Sequence, residues 1–231
     1  MRVRLRRPCA DAAVRTTVPA HECAVDRFVA DLAGELRGPR ALRRDVLAEV
    51  RDGLHDAAEA HGDHPDAAGR AVAEFGSVAE LAPLYQAELT AAQVRRTALV
   101  VTVLFPALVL GWDLLWSHGV AWTAPAPPVV GALARVQDVA GAVAAALGLG
   151  LLLATLRPRA RPRRLAAATA AVGLGAVVVC AGTAVVMNLA NATGTAGMLA
   201  SSPAAVAAVV LSAAAATAVL VSSVRTLRLA R

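Results

Sequence analysis

The residues of this chain that could do chemistry fall into four groups. His55, Glu59, His61 and His64 stand close to Asp52 and Asp56, and these are the residue types that hold divalent metals. His55 and Glu59 are four apart and share a helix face. His61 and His64, however, straddle Gly62, and no H-E-x-x-H or Cys/His zinc spacing occurs. The group therefore reads as a solvated polar face and a turn, and no metal is expected. Asp113, Arg135 and Asp138 are ionisable groups within or beside apolar runs, where proton or ion relays are built. They lie near the ends of those runs and not at mid-depth, which favours an interfacial ion pair between Asp113 and Arg135. Arg157-Pro-Arg-Ala-Arg-Pro-Arg-Arg164 has the charge density of a nucleic-acid patch but no ring to stack on a base, so no direct nucleic-acid binding is expected. Asn191-Ala-Thr193 fits the glycosylation acceptor pattern and reads as a chance match. There is no nucleophile elbow, phosphate loop, dinucleotide fingerprint or catalytic carboxylate pair. The expectation is a protein that is not an enzyme, with no catalytic residue and no cofactor.

The elements that must position these groups follow from composition. The chain has 231 residues, 57% hydrophobic and only 3% aromatic, with a mean hydropathy of +0.57 and a formal net charge of +6. Soluble domains sit nearer 45–50% apolar, so the composition argues against a purely soluble chain. All 23 basic residues are Arg. The three cysteines, Cys9, Cys23 and Cys180, are odd in number and unrelated in spacing, which excludes a disulfide framework. Charge is divided unevenly. Residues 1–20 carry five Arg and one Asp, residues 21–94 seven Arg and fourteen acids, and residues 97–231 nine Arg and two acids.

A helix that crosses a bilayer needs about 20 mostly apolar residues. Four windows qualify, at about 97–116, 136–156, 165–187 and 203–224. Backbone groups in hydrocarbon must be paired internally, so these windows should be helices. Arg residues flank alternate ends: Arg95 and Arg96 before the first, Arg157, Arg159, Arg161, Arg163 and Arg164 between the second and third, and Arg225, Arg228 and Arg231 in a tail at 225–231. The connections 117–128 and 188–202 hold none. Positive residues mark the cytoplasmic side. The expected product is a multi-pass protein of the cytoplasmic membrane with both termini cytoplasmic. Trp112, Trp116 and Trp122 would then sit at the outer interface. Residues 1–20 are basic without an apolar h-region and read as a disordered leader able to touch anionic lipid, the alternative being a start codon placed too far upstream. Small residues in the spans (Gly141, Ala145, Gly148, Gly173, Ala204, Ala208) favour close helix packing.

Residues 21–94 read as a small cytoplasmic helical bundle. Val25, Phe28, Val29, Leu32 and Leu36 lie on one face of a first helix, ended by Gly38-Pro39. Leu42, Val46, Val50 and Leu54 line a second, whose other face carries Asp45, Glu49, Asp52, Asp56 and Glu59; Gly62 is its stop. A third begins near residues 63–65 and presents Ala68, Ala71, Val72 and Phe75. After Phe75 and Gly76, Ser77 and Glu80 have capping-box spacing at the start of a fourth helix carrying Leu81, Leu84, Tyr85 and Leu89. No Gly or Pro lies between Leu84 and Leu104, so this helix either runs on into the first span or breaks near Thr90. A bundle of this size is marginal alone. A soluble partner, a homo-oligomer or packing on the membrane helices would supply the missing burial.

Glu49-Val-Arg-Asp-Gly-Leu-His-Asp-Ala-Ala-Glu-Ala-His61, Ala71-Val-Ala-Glu-Phe-Gly-Ser77 and Glu88-Leu-Thr-Ala-Ala-Gln-Val-Arg-Arg96 resemble the permease prefix domain proteins of actinobacterial type, which group with HAAS-type helical modules. The resemblance covers roughly residues 24–100. The family often has Asp-His where this chain has Asp52-Gly53, and Asp-Pro where it has Ser77-Val78; the second departure keeps a capping residue. The resemblance implies a membrane-anchored regulatory or signalling module, commonly paired with a soluble PadR-type transcriptional regulator. The acidic helix face is the expected partner surface. A small permease, or an accessory subunit of a transporter, is the alternative; the absence of charges at mid-membrane weighs against it.

Overall fold

The computed structural model describes residues 20–62, 64–120, 125–157 and 162–230, with side chains from Ala24 onward. The leader 1–19, Trp122, Arg159, Arg161 and Arg231 lie outside the described residues. The described chain is all-α. It forms α1 (Ala20–Glu35), α2 (Arg40–Ala60), α3 (Ala67–Phe75), α4 (Val78–Ser117), α5 (Pro128–Ala154), α6 (Pro162–Ala190), α7 (Ala192–Ser201) and α8 (Pro203–Ala230). Contacts divide it into two compact units, the first ending at Leu89 and the second beginning at Thr90.

The first unit closes around the apolar face of α1. Val25, Phe28, Val29, Leu32 and Leu36 are buried there with Val50 and Leu54 of α2, Ala68 of α3 and Leu89 of α4. Leu42, Val46 and Leu47 pack half-buried around this centre, and Phe75 meets Phe28 edge-on with ring centroids 6.0 Å apart. α2 stops at Ala60, and Gly62 follows in the left-handed region at φ +59°. α3 starts at Ala67, a little later than the sequence suggests. The residues before it form a turn in which the Ala67 amide donates to the His64 carbonyl at 3.1 Å and the Asp66 amide to His64 Nδ1 at 3.1 Å. Leu84 corrects the sequence reading: it is 66% exposed, while Leu81, Ala82, Tyr85 and Leu89 face the core. The reason is angular. Residues turn about 100° each, so Leu84 falls about 100° from Tyr85, on the opposite side from the drift toward Leu89.

In the second unit, α4, α5, α6 and α8 are each long and apolar enough to cross a membrane. α4 has no break near Thr90 and also passes through Pro106. A proline inside a membrane helix is tolerated where neighbouring groups take up the freed carbonyl. Three boundaries differ from expectation. The connection 188–202 is not a plain loop but contains α7, its first turn closed by a 2.8 Å bond from the Thr195 amide to the Asn191 carbonyl. Arg163 and Arg164 are not in a loop but in the first turn of α6, which Pro162 opens. Arg225 and Arg228 belong to α8, so the described part of the basic tail is helical.

Small residues set the closest helix contacts. A Cβ on Gly148 would lie 2.7 Å from Thr102 Oγ1 and 3.3 Å from the Ala98 carbonyl oxygen of α4. Gly173 of α6 faces Ser223 and Val219 of α8 in the same way. The stripe predicted from sequence is partly displaced. Ala144 and Ala205 are buried, whereas Ala145 is half-buried and Ala204 exposed, so the buried faces of α5 and α8 are centred to one side of the expected stripe. α8 packs on α4, α6 and α7 yet leaves Val206, Val210, Leu211 and Leu220 exposed, so it is not enclosed on every side. Removing a core side chain of the first unit should cost far more than removing an exposed one. Leu54→Ala is expected to destabilise it by about 2–5 kcal/mol, and Leu84→Ala by less than about 0.5 kcal/mol. Denaturation of the full chain followed by amide exchange in α1 and α2 would test this; equal effects would contradict the burial pattern.

Candidate functional site

The acidic face of α2 is built by helical spacing. Asp45, Glu49, Asp52, Asp56 and Glu59 follow steps of four and three, which keeps all five on one side of the helix. Each is exposed, while Val50 and Leu54 anchor the opposite side in the core. Two contacts position the stripe. Arg51 Nη2 donates to Asp26 Oδ1 of α1 at 2.8 Å, and Arg43 Nη1 to the Leu36 carbonyl at 3.3 Å. Both partners of the Arg51–Asp26 pair are exposed, so solvent screens this contact. Arg44 Nε approaches Asp45 Oδ1 at 3.7 Å, both well exposed, a contact that solvent screens heavily. The Tyr85 hydroxyl is held above its ordinary pKa, first by burial and then by the charge of Glu49. The arrangement can attract and orient a basic surface. It offers no activated nucleophile.

The histidines next to the stripe are drawn elsewhere. His61 Nε2 meets Glu74 Oε2 of α3 at 3.2 Å, His64 Nδ1 accepts from the Asp66 amide, and His55 is exposed. Among the described residues no three His, Cys, Asp or Glu side chains converge as metal ligands.

The turn that joins α3 to α4 is defined by a reciprocal cap. Gly76 at φ +106° reverses the chain, a backbone conformation that a side chain would strain. The Ser77 amide donates to Glu80 Oε2 at 3.1 Å, the Glu80 amide to Ser77 Oγ at 3.3 Å, and Ser77 Oγ–H to Glu80 Oε2 at 2.7 Å. These bonds, the Ser77 hydroxyl first and its amide second, lower the Glu80 pKa below its ordinary 4.5. A second clamp holds the α1–α2 connection. The Arg37 amide donates to Gln86 Oε1 at 2.7 Å, and Gln86 Nε2 donates to the Arg37 carbonyl at 3.0 Å.

Of the arginines read as topology markers, Arg95 is half-buried and Arg96 exposed on α4. Arg157 is exposed just beyond α5, and Arg163 and Arg164 are exposed on α6. The proposed Asp113–Arg135 ion pair does not form; both side chains are exposed without a partner among the described residues. A polar cluster missed in the sequence joins α4 to α8. Thr97 Oγ1 lies 2.7 Å from Ser222 Oγ and 2.8 Å from Thr226 Oγ1, and Gln93 Nε2 donates to Thr97 Oγ1 at 3.2 Å. Its signal was present as Gln93 and Thr97 four apart and Ser222 and Thr226 four apart, polar residues at the spacing of one buried stripe.

Residues 27–83 match the protein-family model described as HAAS. The N-terminal unit thus carries a HAAS-type module, and the matched stretch contains the whole acidic stripe and the cap at Ser77 and Glu80. No curated protein and no solved structure is measurably similar to the chain.

The cap makes a directional prediction. A carboxyl group whose folded pKa is lowered contributes stability above its unfolded pKa, and loses it as pH falls through the folded value. Protection of the Ser77 and Glu80 amides against exchange should therefore hold at about pH 6 and decline below the ordinary glutamate pKa. Ser77→Ala should lower protection of this turn about fivefold at neutral pH. Protection that stays flat with pH and survives the substitution would show that the cap contributes nothing.

Proposed function

We propose that this chain is an integral membrane regulatory protein whose cytoplasmic HAAS-type module holds a soluble partner through the acidic face of α2. The observation that carries the reading is the set of five exposed carboxylates, from Asp45 to Glu59, on one helix side inside the family-matched segment. A face so charged, backed by a buried apolar side, is built to meet a basic surface and to steer its approach. The resemblance to permease prefix and HAAS-type modules favours a PadR-type transcriptional regulator as that partner. The alternating Arg pattern supports a cytoplasmic placement of both ends.

In this role the membrane helices anchor the module, and binding keeps the regulator at the membrane or releases it when the anchored module changes. The chemistry is association, with no covalent step. The test uses the full chain in lipid nanodiscs and PadR-type regulators from the same organism. Replacing Glu49, Asp52 and Asp56 together by Lys should weaken capture at least about tenfold, and raising salt well above physiological strength should weaken the unaltered complex comparably. Capture that is indifferent to both changes would remove the acidic face from the reading; no capture of any basic regulator would remove the reading itself.

A further inference from the structure

The second unit contains a cavity of about 670 Å³ between α4, α5, α6, α7 and α8. Its two ends differ in chemistry. One end is walled by apolar groups such as Leu104, Phe105, Val177 and Val219. The other, where α4 finishes and α5 starts, brings Asp113 of α4 and Asp138 of α5 to the lining together with Trp112 and Trp116. Neither carboxylate has a hydrogen-bond or ion-pair partner among the described residues, and Arg135 does not line the space. The two indoles stack at a centroid distance of 6.2 Å, and Trp112 is oriented by a 3.1 Å hydrogen bond from its Nε1 to Ser212 Oγ of α8.

We propose that this cavity binds a lipophilic organic cation. Charge complementarity selects the occupant. Two uncompensated carboxylates reject an anion, and an apolar depth gives no purchase to a small hydrated ion. Indole faces add attraction for a diffuse organic cation, whose charge is weakly hydrated and easily desolvated. A phospholipid acyl chain would fill the apolar end but would leave the carboxylates unmatched. The volume lies within the range of sites that take drug-sized molecules, and the space is open at its polar end, where Asp113 and Asp138 are exposed. The site belongs wholly to the second unit, so it stands whether or not the acidic face of α2 binds a regulator.

The experiment measures tritiated tetraphenylphosphonium binding to the full chain in phosphatidylcholine nanodiscs, with unlabelled probe as competitor. Tetraphenylborate, of similar shape and opposite charge, is the control. Saturable phosphonium binding is expected, with the borate at least tenfold weaker as a competitor. Asp113→Asn combined with Asp138→Asn should weaken phosphonium binding at least tenfold, and Glu at both positions should keep it within about threefold. The helical content of each variant, read by circular dichroism, should match the unaltered chain. Non-saturable uptake, equal competition by the borate, full retention by the Asn variant, or loss in both the Asn and Glu variants would each overturn the proposal.

Discussion

Hydrocarbon supplies no hydrogen-bond partner, and this constraint bears on the four helices long and apolar enough to cross a membrane. It requires helices, and it penalises any polar side chain that cannot find company on a neighbouring helix. At the arginine-flanked ends of α4 and α8, Thr97 and Ser222, with Gln93 and Thr226 just beyond the apolar runs, find such company in one another through hydroxyl and amide contacts. Because lipid is as apolar as leucine, attraction between these helices cannot come from apolar burial as it does in water. Close approach takes its place. Gly148 against Thr102 and Gly173 against Ser223 bring helix surfaces to distances that an added methyl would prevent.

The first unit works under the opposite rule. Water drives Val25, Phe28, Leu32, Val50, Leu54 and Leu89 together, and the same water solvates the carboxylates on the far side of α2. With a short chain and a small core, local bonds matter more. The Ser77–Glu80 cap and the Arg37–Gln86 clamp satisfy backbone groups at the two sharp connections, where a bundle of this size has least apolar area to spare. α4 belongs to both regimes. Its first turns contribute to a water-driven core, and its later turns are long and apolar enough to cross a membrane.

Much of this was legible in the residues. Apolar spacing in residues 25–54 marks the buried faces of α1 and α2, and the S-x-x-E pattern marks the start of α4, because both signals are local. The four long apolar runs were equally plain. What escaped was whatever depends on angle or on a partner distant in sequence. Leu84 has the right residue type and the wrong phase. Gly141, Gly148 and Gly173 of the small-residue pattern are buried, but at Ala145 and Ala204 it is the neighbours, Ala144 and Ala205, that are buried. α7 is hidden because it is only ten residues long and its Ala, Gly and Thr give no clear amphipathic period. Asp113 and Arg135 looked like natural partners because opposite charges near two helix ends invite pairing. Rotation of α5 decides otherwise, placing Asp138 and not Arg135 on the face shared with Asp113.

Alanine is the commonest residue of the cavity lining, and at those positions the shape is defined by atoms that are missing. Ala134, Ala181, Ala184, Ala213 and Ala216 each offer a position where one or two added carbons would trim the space without touching a charge. Such a wall can be resculpted in small steps, each chemically conservative and each compatible with a helix in lipid. Descendants of this chain could thus drift in what they accommodate while the polar end, the interhelical hydroxyls and the N-terminal bundle stay as they are.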